Sequence, residues 1–121
     1  MLDEASAALA TTAAKALIAA MTSDTWVSFK KAFARLLGRG QPNESKTAEK
    51  QLEREQSRLT MAPMAERERL SAEFELAFQK WFVDLLREEP RSTDQMRTLV
   101  GQVSAVLTAV TWAPLTPGLL T

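Results

Sequence analysis

Leu70–Leu86 reads LSAEFELAFQKWFVDLL, and it holds three of the chain's five phenylalanines, Phe74, Phe78 and Phe82, together with Trp81. Leu70, Phe74, Ala77, Phe78, Trp81 and Leu85 recur at i, i+4, i+7 spacing, which puts them on one face of an α-helix. Phe82 and Leu86 widen that face beyond a narrow stripe, so such a helix needs cover from more than one side. The stretch is predicted to be the central post of a small helical bundle. Trp81→Ala is expected to cost ~3–5 kcal/mol if that side chain is buried.

The flanks supply the ends of this helix. Pro63 breaks the chain before Met64, Ala65–Arg69 is a charged and exposed first stretch, and Pro90 stops the helix after Glu89. Beyond it, Ser92 and Gln95 have capping-box spacing. Met96, Leu99, Val100, Val103, Val106, Leu107 and Val110 then follow a helical template, against Gly101 and the β-branched valines. A strand would split these residues between two faces, and no second strand candidate exists to pair with it.

Upstream, three more helices are predicted. Leu2–Met21 is alanine-rich, with Asp3 and Glu4 where negative charge suits a helix N-terminus. Leu9, Ala13, Leu17 and Ala20 share a face, with Ile18 and Met21 beside it. An acidic start argues against a secretory signal, and Ser6, Thr11, Thr12 and Lys15 interrupt what a membrane span of ~20 apolar residues would need. Thr22, Ser23 and Asp24 are candidate caps for a second helix carrying Trp26, Phe29, Phe33, Leu36 and Leu37, which Gly38 and Gly40 bring to an end. Glu44–Thr60 is a charged helix whose inward seam is Ala48, Leu52, Leu59 and Gln56. Residues 1–111 therefore read as one all-α, single-domain bundle of about five helices. Residues 112–121, with Pro114, Pro117 and Gly118, read as a C-terminal tail.

The chemistry is read as much from what is missing. The 121 residues contain no cysteine and no histidine, so there is no thiolate nucleophile and no ordinary general base near neutral pH. The carboxylate pairs Glu66/Glu68, Glu73/Glu75 and Glu88/Glu89 sit among lysines and arginines as solvated helix surface. Gly38-Arg39-Gly40 lacks the lysine–serine signature of a phosphate loop. No catalytic, cofactor or metal residue is assigned, and no small-molecule substrate is inferred. The aromatic residues are read as core rather than as a pocket lining.

Fifteen bases balance fifteen acids. A globally basic nucleic-acid binder is disfavoured, although the second helix concentrates Lys30, Lys31, Arg35 and Arg39. These fit either complementarity to that helix's dipole or the binding of an anionic partner. A more neutralised ridge follows on the third helix in Lys46, Lys50, Arg54 and Arg58.

Asp24-Thr25-Trp26 followed by Phe33-Ala34-Arg35-Leu36-Leu37-Gly38-Arg39-Gly40 resembles a pattern in small uncharacterised all-helical proteins of actinobacteria. The alanine-rich Leu2–Met21, the Glu/Arg-rich Glu44–Arg69 and the aromatic Leu70–Pro90 extend the likeness over most of Leu2–Val110. The resemblance implies a helical fold and a cytoplasmic setting, and it brings no functional residue with it. The leading expectation is a non-enzymatic interaction or adaptor module that self-associates or takes a protein partner. Its proposed partner surface is Leu9, Leu17, Ile18, Met21, Leu119 and Leu120. The alternative is an anionic-surface binder, for nucleic acid or membrane, acting through the second helix. Membrane contact through the first helix is the less favoured reading.

Overall fold

The computed structural model describes the backbone of residues 4–112 and the side chains of residues 4–107. It is all-α, as predicted, with α1 (Glu4–Met21), α2 (Trp26–Leu37), α3 (Pro42–Met61), α4 (Met64–Glu88) and α5 (Ser92–Trp112). The predicted start of the first helix at Leu2 and most of the predicted tail, with Leu119 and Leu120, lie outside the described residues. Boundaries move by one or two residues, with α3 ending at Met61 rather than Thr60 and α4 at Glu88 rather than Glu89. α3 starts at Pro42, ahead of Glu44, because proline at the first helical position loses only an N–H that has no partner there. α5 runs through Trp112, which the sequence reading had assigned to the tail.

α1 lies chiefly along α4 and α5, while α2 lies chiefly along α3. Ala10, Ala13, Ala14, Leu17, Ala20 and Met21 are all buried on α1. Small side chains let two helix backbones approach closely, and here they form the inner wall of the bundle. The expected partner surface therefore needs correction. Leu17 and Met21 are inside the core, and Leu9 and Ile18 are half-buried against it. The apolar side that made α1 look like a docking face is used internally. No helix among the described residues is long and apolar enough to cross a membrane.

α4 is the post, but it is turned from its expected setting. Its buried line is Phe74, Phe78, Phe82, Leu85 and Leu86. Ala77 is exposed, and Trp81 and Leu70 are only half-buried. Phe82 meets Phe33 of α2 with ring centroids 6.1 Å apart and planes tilted by 54°, an arrangement worth ~0.5–1.5 kcal/mol beyond area burial. α3 buries the narrow seam predicted for it, Ala48, Leu52 and Leu59, and touches α4 less than it touches α2. Gln56 completes that seam by donating its amide to the Met21 carbonyl at the end of α1, at 3.3 Å. A seam this narrow leaves the Ala77–Trp81 edge of α4 partly open.

The connections are held by side chains and by one close approach. Between α1 and α2, the Ser23 hydroxyl lies 2.8 Å from that of Thr25 and 2.9 Å from the Ala20 carbonyl. Between α3 and α4, the Arg67 guanidinium donates to the carbonyls of Thr60 at 2.7 Å and Ala62 at 3.2 Å, satisfying orphan acceptors at the end of α3. After α2, the Arg39 N–H donates to the Leu36 carbonyl at 3.1 Å and the Gly40 N–H to the Arg35 carbonyl at 3.0 Å. That pair of bonds is a Schellman ending. Its left-handed residue is Arg39 (φ 56°), followed by Gly40 (φ 77°), whereas Gly38 has an ordinary φ of −84°. Gly38 is instead a contact point. A Cβ there would sit 2.5 Å from the backbone nitrogen of Ser45 on α3.

Candidate functional site

The expected basic set on α2 is divided by the fold. Lys30 and Arg35 lie on α2 but meet different neighbours, Lys30 on α3 and Arg35 in a cleft beside α5. Lys30 donates to Glu53 on α3 at 2.7 Å and lies 3.9 Å from Glu49, with its side chain largely covered. It is a clasp between α2 and α3. Lys31 is exposed and lies outside the cleft described next. Arg35 and Arg39 do come together, on the wall of an open cleft of about 660 Å³ between the end of α2 and the start of α5.

The cleft has an apolar floor of Ala32, Leu36 and Leu99 and a polar rim. Arg35 and Arg39 stand on the α2 side. Arg91 comes from the turn before α5, and Ser92, Gln95, Thr98 and Gln102 come from α5 itself. Glu89 and Asp94 also line it, so three guanidiniums face two carboxylates. Arg39 is held by Glu88 across the α2–α4 gap, and Asp94 is paired with Arg97 at 3.5 Å. Arg35 and Arg91 have no ion-pair partner among the described residues.

Two features set this rim apart from ordinary charged surface. Arg39 occupies a left-handed backbone position at a cost of about 1 kcal/mol for a residue with a Cβ, where glycine is the usual choice. Arg91 stands at the N-terminus of α5, where the helix dipole disfavours a base. An anion bound in the cleft would relieve the second of these directly.

Sequence reasoning reached Arg35 and Arg39 but missed Arg91 and Ser92, because Pro90–Gln95 was read only as a stop and a cap. A legible signal was present: an arginine immediately ahead of a helix start runs against the dipole preference. The expected capping box is not how the helix begins. α5 starts at Ser92, and Thr93 returns its hydroxyl to the Pro90 carbonyl at 2.8 Å.

The aromatic residues weighed as a pocket lining behave mainly as core. A smaller hollow of about 420 Å³ between α3 and α4 is bordered by Phe78 and Trp81, with Gln51, Glu55, Lys80 and Asp84 around it. The ridge on α3 is exposed, and its last member, Arg58, lies over the Phe74 ring at 5.2 Å and pairs with Glu55 at 3.4 Å. Among the described residues, no three acidic side chains gather as a metal site would require. No family model, curated protein or solved structure matches the chain.

Proposed function

We propose that the protein is a non-enzymatic helical interaction module whose α2–α5 cleft holds an acidic segment of a protein partner. The observation that carries this reading is the convergence of Arg35 from α2, Arg39 from the turn after it and Arg91 from the turn before α5 on one open cleft. Guanidinium groups recognise carboxylates through paired hydrogen bonds and keep their charge under all ordinary conditions. A cleft with a short apolar floor and a cationic rim suits an extended acidic peptide better than a buried small molecule. The split of the α2 cluster argues against a continuous nucleic-acid track, since Lys30 is committed to α3.

Titration with a hexaglutamate peptide at low salt tests the reading. Saturable binding is expected, weakened at least tenfold by Arg35→Gln or Arg91→Gln and left unchanged by Lys31→Gln. Equal loss in all three variants would mean diffuse surface attraction and would remove the cleft from the proposal.

Self-association is supported by a separate feature. Met61 and Met64 are 83% and 82% exposed at the α3–α4 turn, flanking Ala62 and Pro63. The Arg67 bonds to Thr60 and Ala62 hold this apolar knob in shape. Exposed methionines on a fixed turn are adaptable contact residues. Light scattering over a concentration series is expected to show a reversible dimer that Met61→Ser/Met64→Ser shifts to monomer. The same double variant is expected to change unfolding free energy by less than about 0.5 kcal/mol.

A further inference from the structure

The buried line of α4, with Phe74, Phe78, Phe82 and Leu85, takes up one side of that helix. A helix turning by ~100° per residue gathers Glu66, Arg69, Glu73, Lys80, Asp84 and Arg87 on the opposite side. All are exposed except Asp84, which is half-buried. Their signs alternate along the helix, acid then base, and Leu76 and Ala77 stand at the midpoint of the row. Leu76 is 69% exposed, and Ala72 and Ala77 beside it are exposed as well. These charges are not spent within the chain. Glu66 and Arg69 approach only to 3.9 Å, and Glu73, Lys80, Asp84 and Arg87 have no ion-pair partner among the described residues. Lys80, Trp81 and Asp84 also border the open hollow beside α3.

We propose that the outer side of α4 docks antiparallel against the same side of a second copy, about a twofold axis passing between Leu76 and Ala77. The inference rests on the chain self-associating, and it supplies the surface and the symmetry of that contact. In a twofold contact, residue i of one copy meets residue j of the other and j meets i. A row of charges that alternates about its own midpoint therefore sets every acid against a base when it is reversed. Glu73 meets Lys80 of the second copy, Arg69 meets Asp84, and Glu66 meets Arg87, each contact occurring twice. Leu76 packs on Ala77 at the axis, and Ala72 comes to the half-buried Trp81. The match is specific to this register. A slip of one helical turn sets Glu73 against Asp84 in one direction and Lys80 against Arg69 in the other. A parallel pair in register opposes like charges throughout. Met64 falls across from Glu89 of the second copy, so the methionine turn lies at the edge of the same interface. Exposed ion pairs each contribute little and are screened by salt, which makes the pair reversible.

The test is sedimentation equilibrium of the full chain at low ionic strength over a concentration series. A dimer is expected, weakened by added salt and weakened at least tenfold by Glu73→Lys, by Lys80→Glu and by Leu76→Glu, since the twofold axis makes each change act twice. Circular dichroism and urea midpoints of these variants are expected to stay at wild-type values, because the side chains lie outside the core. The double variant Glu73→Lys/Lys80→Glu is expected to restore the wild-type affinity to within about twofold, because both contacts again join opposite charges. An equimolar mixture of the two single variants is expected to form a heterodimer for the same reason. A dimer that none of the single variants weakens overturns the α4 surface and leaves the methionine turn as the contact. Losses that neither the double variant nor the mixture restores overturn the antiparallel register. A monomer at every concentration overturns the pair together with self-association. A monomer in which Leu76→Glu also lowers the urea midpoint shows that another part of the chain covers α4, and it overturns the pair as well.

Discussion

Phe82→Ala is expected to lower the unfolding free energy by ~3–5 kcal/mol, the range for removing a fully enclosed aromatic side chain. Phe82 is completely buried on α4 and packs against the ring of Phe33 on α2. Its removal leaves a void between α4 and α2 and takes away the partner of the Phe33 ring. A domain of this size has ~5–15 kcal/mol in total, so the variant should be visibly less stable in urea. Trp81→Ala is the internal comparison. Trp81 is the larger side chain, but it is half-exposed and borders the open hollow on α3. Its loss is expected to cost roughly 1–2 kcal/mol. If the tryptophan variant is the more damaged of the two, the orientation of α4 described above is wrong.

Gly38→Ala is expected to cost about 1–3 kcal/mol or more, as overpacking does in a closely fitted interior. The reason is purely steric. The φ of Gly38 suits any residue, but an added Cβ meets the Ser45 backbone nitrogen at 2.5 Å and its Cα at 2.6 Å. Backbone cannot swing aside as a flexible side chain can, so α3 must move away from α2. That shift also strains the Lys30–Glu53 clasp. The other glycines separate mechanisms. Gly40→Ala meets no atom within 4 Å but carries φ 77°, so its smaller penalty is conformational. Gly101→Ala, in the exposed middle of α5 with open space around it, is expected to stabilise by about 0.5–1 kcal/mol. Denaturant midpoints for the three variants, measured side by side, should rank as Gly101→Ala above wild type, then Gly40→Ala, then Gly38→Ala.

The candidate cleft was half legible. Arg35 and Arg39 stood out because they lie four residues apart at the end of α2 and in the turn after it, and a local cluster is visible in a local pattern. Lys30 belonged to the same cluster on paper and turned out to face α3. Arg91 and Ser92 belong to the cleft only because α5 brings its first turn beside the end of α2. Leu17 and Met21 failed as partner residues for the same reason in reverse. An apolar helix face looks identical in sequence whether a neighbouring helix or another protein covers it.

The sequence by itself determined the number and order of helices, their breaks at Pro63 and Pro90, and the inward seams of α3 and α5. Each of these follows from backbone restriction and 3.6-residue periodicity, which act over a few neighbouring residues. Only the tertiary structure decided how α4 is turned, whether an apolar face is interior, that Gly38 is a contact rather than a left-handed turn, and which cations share a cleft. Those depend on the shape of the facing surface. The small alanines of α1 and the narrow seam of α3 set where the aromatic post Leu70–Leu86 could come to rest.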